Sequence, residues 1–314
     1  MHRIDGPGAT VDNKFTDGDP VGGVQSTVVL AGWLNDVQET IISVLTAASI
    51  TPIKGDYSQL LEAIRSVSGG VVGTHRKLHM SITAASATAT ITADELVLKS
   101  ALGGRARILN AFSQSINLAT TGIGGMLTGS APVSGYVAIY GAVKDDGTRG
   151  AFAVNATSAA APDVAASSPT GYTMTALLAV VATDGSGLMK PIEVSGRYHW
   201  ISPVQIYTSA TQQATLTLRD ASAALPFNAK IADVSTIVSS SASAVSLTST
   251  IAGSGAAAGG LGQKINSVTS AAAGAGLQSQ FPNIPIITPQ NIYYSVSLGS
   301  GTLSFSISIS GYSI

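Results

Sequence analysis

Few residues in this 314-residue chain have the types and spacing that chemistry needs. Hydrolysis of a glycosidic bond takes two carboxylates about 5 to 10 Å apart. Beyond Trp200 the chain offers Asp220 and Asp233 and no glutamate. Asp220, between Arg219 and a segment ending Leu225-Pro226, has the position of an aspartate that caps a turn. The acidic pair Asp145-Asp146 runs into Gly147, which is hairpin-turn chemistry and not an acid and base. No serine stands in a Gly-x-Ser-x-Gly elbow, and no Gly-Lys-Ser/Thr phosphate loop is present. The closest histidine pair, His75 and His79, lies in a strand-patterned segment, which disfavours a shared metal ion. His199-Trp200 reads either as an exposed carbohydrate platform or as a strand-end aromatic covering the core, and the second is the favoured reading. The expectation is no catalytic residue, no metal and no cofactor.

Binding is what remains. Only 11% of residues are charged and 5% aromatic, with 34 glycines and long runs of Ala, Ser and Thr. The mean hydropathy of +0.34 argues against disorder, and small β-branched and hydroxyl residues argue for many short strands. Eight acids against four bases leave residues 1–70 at −4, so the remainder stands at +3 within a total of −1. The basic pairs Arg76-Lys77 and Arg105-Ala106-Arg107 are short and separated, so no nucleic-acid partner is expected. With no cysteine, neither disulfides nor thiolate metal sites hold the fold. The N-terminus lacks the apolar run of a signal peptide, and the longest wholly apolar run, Ala176 to Ala182, is far short of the ~20 residues that span a bilayer. Synthesis in the cytoplasm without membrane insertion is expected.

The elements that must position a binding surface begin with a helix over Val28 to Ala48. Leu30, Leu34, Val37, Ile41, Val44 and Ala48 recur at steps of four, three, four, three and four, a seam of period 3.5. Trp33, Ile42 and Leu45 widen the stripe, so the helix has two faces to bury, against its own domain or against copies of the chain. Residues 1–24 carry Gly, Asp and Pro without periodicity and read as an extended, irregular arm. Pro52 ends the helix. Asp56 with Gln59 has capping-box spacing ahead of a second helix bearing Leu60, Leu61, Ile64 and Val67, and Ser68-Gly69-Gly70 breaks it.

The opening MHRIDGPGATVDNKFTDGDP, the helix WLNDVQETIISVLTAASITP and the second helix DYSQLLEAIRSV, in that order, resemble the N-terminal region of tail fibre and tail-collar-like proteins of tailed bacteriophages. The resemblance covers about the first 68 residues. It departs from the family pattern at Leu30, where a Ser/Thr-type cap is usual, and at Ser49, where a glycine is usual. It implies a module, residues 1–70, that docks a homotrimeric fibre onto the virion tail or baseplate, with Leu30, Trp33, Leu34, Val37, Ile41 and Val44 on the assembly and attachment helix.

From residue 76 the period becomes that of strands. Leu78 to Ile82, Thr88 to Thr92, Leu96 to Leu98 and Ile108 to Leu118 read as strands, Tyr136 to Tyr140 and Ala151 to Val154 as a hairpin around Lys144–Thr148, and Ala176 to Ala182 as a buried strand. The TADELVLKS, TGSAPVSGYVAIYGAV and PTGYTMTALLAVVATD segments are also similar, more loosely, to a β domain recurring in phage tail fibres. A third region opens at Pro203. In it Gly253 to Gly276 reads as mostly loop, and Val296 to Leu298 with Leu303 to Ile309 as a terminal hairpin.

The expected fold is mainly β: an N-terminal helical module followed by two antiparallel β-sandwich-like domains, 71–202 and 203–314, in a homotrimer. The expected function is host recognition by a tail fibre, its C-terminal domain meeting a bacterial surface polysaccharide, pilus or outer-membrane protein. Binding residues are sought in the proline-stiffened stretch Phe281 to Tyr294, at Phe281, Asn283, Gln290, Asn291 and Tyr293; a rigid crossover between sheets is the other reading. The alternatives are a structural collar or baseplate adaptor without receptor binding and, disfavoured by the missing acids, a polysaccharide depolymerase.

Overall fold

The computed structural model describes residues 2–67 and 70–314. They form two units, Met1–Gly70 with Gly103–Arg107 and Val71–Leu102 with Ile108–Ile314.

In the first unit an arm precedes α1 (Ala31–Ala47) and α2 (Gln59–Val67). The arm is not extended. It folds back on itself, with Val28 N–H donating to Pro7 O and Thr27 N–H to Thr16 O, both at 2.9 Å. Gly8 (φ +79°) and Gly18 (φ +76°) allow the close approach, since a Cβ there would lie 2.3 and 2.6 Å from backbone atoms of Ser26. His2 ties the arm to α1, its ring bonding Asp36 at 2.8 Å and its carbonyl accepting from Trp33 Nε1 at 3.1 Å. Phe15 meets the same indole edge-on at 5.1 Å. Trp33 therefore clamps the arm and does not widen the seam. Leu30 lies outside the helix as its N-cap, without a side-chain hydrogen bond. At the other end Ser49 takes the left-handed conformation (φ +56°), and Ile50 N–H returns to Leu45 O at 2.9 Å, the closure for which glycine is favoured.

α2 packs with an inverted face. Ala63 meets Leu45 of α1 and Ala48, which caps it, and Gln59 and Ser66 are buried beside it. Leu60, Leu61, Ile64 and Val67 point outward and are exposed. The capping box between Asp56 and Gln59 does not form, because the helix begins at Gln59 itself. Asp56 accepts from the Ser58 N–H and hydroxyl at 2.9 and 2.7 Å, while the Gln59 amide bonds Ile53 N–H and Thr51 O at 3.0 and 2.9 Å. The expected break at Ser68-Gly69-Gly70 falls, Gly70 apart, outside the described residues.

The second unit is built of strands: β1 (His75–Arg76), β2 (His79–Ile82), β3 (Thr88–Lys99), β4 (Ala106–Asn117), β5 (Tyr136–Lys144), β6 (Arg149–Asn155), β7 (Tyr172–Ala182), β8 (Ile192–Ser195), β9 (Tyr198–Ser209), β10 (Gln213–Asp220), β11 (Ile231–Ser240), β12 (Ser246–Ala252), β13 (Lys264–Thr269), β14 (Gly276–Pro285), β15 (Asn291–Leu298) and β16 (Leu303–Ser313). Twelve of them join in the order β14-β11-β16-β9-β8-β2-β3-β7-β5-β6, with β1 and β4 both on β3; β10-β15-β12-β13 form a second sheet. The β5–β6 hairpin forms as its sequence implies, from Val137↔Asn155 to Val143↔Arg149. β7 is covered on both sides, Leu178 and Val181 facing one core and Leu177 and Val180 another, which is why its sequence is apolar without alternation.

Several expectations change. Thr88–Thr92 and Leu96–Leu98 are one strand, β3, which pairs with β2 at Thr92, with β1 at Leu96 and with β7 at Lys99. The expected domain boundary at 202/203 falls inside β9, which runs without a break and pairs β8 on one side and β16 on the other. β15 and β16 do not form a hairpin. They belong to different sheets, each facing the core that Val296, Leu298, Leu303, Phe305 and Ile307 share. Alternating sequence looks the same in a hairpin and at a sandwich corner, and only remote partners decide between them. The Gly/Ala-rich 253–276 stretch contributes β13, paired with β12 from Ile251↔Lys264 to Ser246↔Thr269.

His199 sits fully buried and stacks on Tyr312, ring centroids 4.9 Å apart. Its Nδ1 donates to Arg197 O at 3.1 Å, and its Nε2 accepts Val180 N–H at 3.4 Å. Burial pushes the imidazole down to about 4. An unfolded histidine takes up its proton near 6.5, so acid favours the unfolded chain as pH falls from there, and the loss is complete below about 4. Urea midpoints should therefore show this group withdrawing about 3 kcal/mol between pH 6.5 and 4. The slope should flatten in His199→Phe, whose stability is lower at neutral pH.

Candidate functional site

The sites sought in 281–294 separate into buried and accessible residues. Phe281 is 3% exposed and belongs to the core that Val296, Leu303 and Phe305 share. Gln290 is also buried and donates to Leu225 O at 3.0 Å, pinning a turn. Neither is free to meet a ligand, because the stretch is mostly ladder: Phe281–Pro285 pairs with β11, and Asn291 opens β15. Residues 286–290 pass from one sheet to the other, as the crossover reading has it. Asn283 is exposed at φ +56°, Tyr293 is half-buried, and Asn291 donates to Pro289 O at 2.8 Å.

Asn283 leads to a surface that sequence reasoning assembled only in part. Its N–H donates to Asp233 Oδ1 at 2.8 Å, and the Tyr198 hydroxyl donates to Asp233 Oδ2. Asp233 lies where the register of β11 shifts against both neighbours, a bulge that re-aims its carboxylate. Burial, and then this hydrogen bond, raise the Tyr198 phenol above its usual value, so it stays a donor. The Tyr198 ring lies over Gly311, where an added Cβ would come within 2.2 Å of the Tyr198 oxygen. Beside it stands Trp200, 49% exposed, its ring centroid 4.5 Å from that of Tyr198 at a 57° tilt.

Strand register continues this face across the sheet, since directly paired residues point to the same side. Trp200 pairs with Glu193 and Glu193 with Ser81; Tyr198 pairs with Ser195, Ser195 with His79 and His79 with Thr92. His79 Nε2 bonds Glu193 Oε1 at 2.6 Å. The Ser81 hydroxyl, and then His79, hold the Glu193 carboxyl below its usual range. Next comes an open groove of about 740 Å³ lined by His79, Ser81, Thr88, Thr90, Ser115 and Asn117 among others. The favoured reading of His199-Trp200, an aromatic covering the core, holds for His199 and not for Trp200, which is half exposed. Alternate residues of one strand share a face, so Tyr198 stands with Trp200. Glu193, Asp233 and Gly311 join them only through pairing between strands far apart in sequence.

The remaining acids are engaged locally. Asp220 accepts from the Ser222 N–H and hydroxyl at 2.8 and 3.0 Å, and Asp146 accepts Thr148 N–H at 2.7 Å. Among the described residues no group of three or more His, Cys, Asp or Glu side chains could hold a metal ion. No described helix is long and apolar enough to cross a membrane. In the helical unit Leu34 and Ile41 of the seam are exposed, and Val37 and Val44 are half-buried.

No family model matches the chain, and no curated protein matches it. A solved structure, that of an insecticidal delta-endotoxin from Bacillus thuringiensis, aligns over 81% of this chain at 10% identity and a TM-score of 0.24. The chain spans 55% of that structure's length. Likeness at that level carries no functional argument.

Substitution distinguishes the buried from the accessible part of 281–294. Gln290→Ala leaves the Leu225 carbonyl unsatisfied and should cost about 1–3 kcal/mol in urea unfolding, whereas Asn283→Gly, at an exposed side chain whose left-handed backbone glycine also adopts, should stay within about 0.5 kcal/mol.

Proposed function

We propose that this chain is a bacteriophage tail fibre or short tail spike that binds a host receptor. Residues 1–70 attach it to the phage tail or baseplate, it assembles as a homotrimer, and the β unit meets a polysaccharide, pilus or outer-membrane protein on the bacterial surface. The observation that carries the reading is the outward apolar surface of the helical unit, Leu34 and Ile41 on α1 with Leu60, Leu61, Ile64 and Val67 on α2. A solitary chain would hold these side chains in water, and apolar surface on that scale marks an interaction site. A seam of period 3.5 on α1 suits helices of other copies. The sequence resemblance of residues 1–68 supplies the identity of the assembly. Scarce charge with abundant hydroxyls suits weak contacts multiplied by copy number.

Labelled full-length protein, incubated with susceptible bacteria before and after removal of surface polysaccharide or pili, tests the reading. Saturable binding lost on one treatment supports it and identifies the receptor class. No binding by trimeric protein to any susceptible host would make the chain a collar or baseplate adaptor. A binding fragment should begin near Val71, because a cut at Pro203 would divide β9.

Assembly has its own check. Leu34→Asp and Ile41→Asp should convert the trimer to monomer in sedimentation velocity while leaving the β circular-dichroism signal intact. A persistent trimer would place the assembly contacts in the β unit instead.

A further inference from the structure

We propose that the outward face of β2, β8 and β9 is a glycan-binding platform, with Trp200 stacking on a sugar ring and the hydroxyl-lined groove beside it holding the continuing chain. The inference rests on the receptor-binding reading only in taking the host surface as the source of the glycan.

Three features of the face carry it. The first is a half-exposed indole that is held in place: Trp200 leans on Tyr198, whose hydroxyl is fixed by Asp233, itself fixed by the Asn283 N–H. An aromatic surface with its orientation set in advance loses little rotational freedom when a ligand arrives. The second is clearance. Gly311, paired with Trp200 on β16, has no side chain of its own, which makes room for the Tyr198 ring on that flank and leaves the indole half exposed beyond it. The third is continuity with polar groups. Glu193, paired with Trp200 on its other flank, is bonded to His79, which lines the groove. From Trp200 to the Thr90–Ser115 pair, whose hydroxyls meet at 2.8 Å, the face crosses β9, β8, β2, β3 and β4. At the ordinary spacing between strands that is roughly 19 Å, room for several linked sugars.

The same geometry disfavours other occupants. β8 is paired along both edges, and β9 is paired on both edges from Tyr198 to Trp200, so the backbone beside the indole offers no free ladder for a peptide strand. Its charges, Glu193 beside His79, provide no basic track for a nucleic acid. Serine and threonine hydroxyls both donate and accept, which suits a ligand made of hydroxyls.

The chain has two tryptophans, so Trp33→Phe makes Trp200 the sole indole reporter. With that full-length variant, maltohexaose, cellohexaose, chitohexaose and purified capsule or O-antigen from susceptible hosts are titrated by fluorescence, and the native sequence by calorimetry. The expected result is a saturable change in Trp200 emission with at least one of these. The affinity should fall at least tenfold in Trp200→Ala and two- to fivefold in Thr90→Val, with circular dichroism unchanged. No response to any oligosaccharide or host polysaccharide overturns the proposal, as does affinity unaltered in Trp200→Ala. Dissociation of the assembly by Trp200→Ala without a sugar response also overturns it and assigns the face to a second copy. If Trp200→Ala still binds cells like the native protein, the platform fails and the receptor reading stands. If sugars bind through Trp200 but no host is bound, the platform stands and the receptor reading fails.

Discussion

The second unit depends on how the backbone N–H and C=O of one residue in its most apolar strand are satisfied. β7 pairs with β5 along its length, but with β3 only at Lys99↔Thr175. At Val180 the hydrogen bonds come from side chains, the amide reaching His199 and the carbonyl accepting from Tyr312 at 2.7 Å. Those two rings stack, and they sit on β9 and β16, paired strands of the C-terminal region. An unsatisfied peptide this deep would cost more than most single contacts contribute. The polar contact therefore does what apolar packing alone does not, fixing β9 and β16 at one height against β7. Both aromatic groups must stay neutral there, and burial keeps His199 unprotonated and the Tyr312 phenol un-ionised.

That arrangement explains what could be read in the sequence and what could not. Strands whose neighbours in sequence are their neighbours in space, such as β5 and β6, announce themselves through a turn motif and matched flanks. β7 announces its burial through seven apolar residues in a row. The error at the C-terminus has a different origin. Val296 and Leu298 alternate with polar residues as Leu303 to Ile309 do, and a short Gly-Ser-Gly turn joins them. The pattern records which side faces the core, not which sheet the strand joins. Phe281 differs from expectation for a related reason: prolines suggest a stiff free segment, yet β14 is an edge strand with Pro282 at its one-residue register shift and Pro285 at its end.

The helical unit shows a second limit of pattern reading. The period of α2 was legible, but an amphipathic stripe does not say whether it faces its own chain. Here Ala63, small enough to let α2 approach Leu45 and Ala48, takes the inner position, and the four larger apolar residues are left outside. A lone domain would gain by rotating the helix and burying them. By burying glutamine, alanine and serine instead, it leaves the outer stripe open to the partner that the proposed assembly calls for. Gln59 holds the orientation, its amide satisfied by the Thr51–Ile53 loop.

A chain with few charges and mostly small side chains has limited means of making a specific surface. Interior strands of a sheet show only side chains, since their backbone groups are paired. Specificity must then come from the few groups that stand above a floor of serine, threonine and glycine. Trp200 is such a group because Gly311, paired with it on β16, leaves room for the Tyr198 ring that braces it, and Ser202, two residues along its own strand, is short. Long charged side chains in those positions would lay their aliphatic stems across the indole and cover it. The poverty of the composition, which at first suggests a surface without features, is thus the condition that lets a single braced aromatic dominate it.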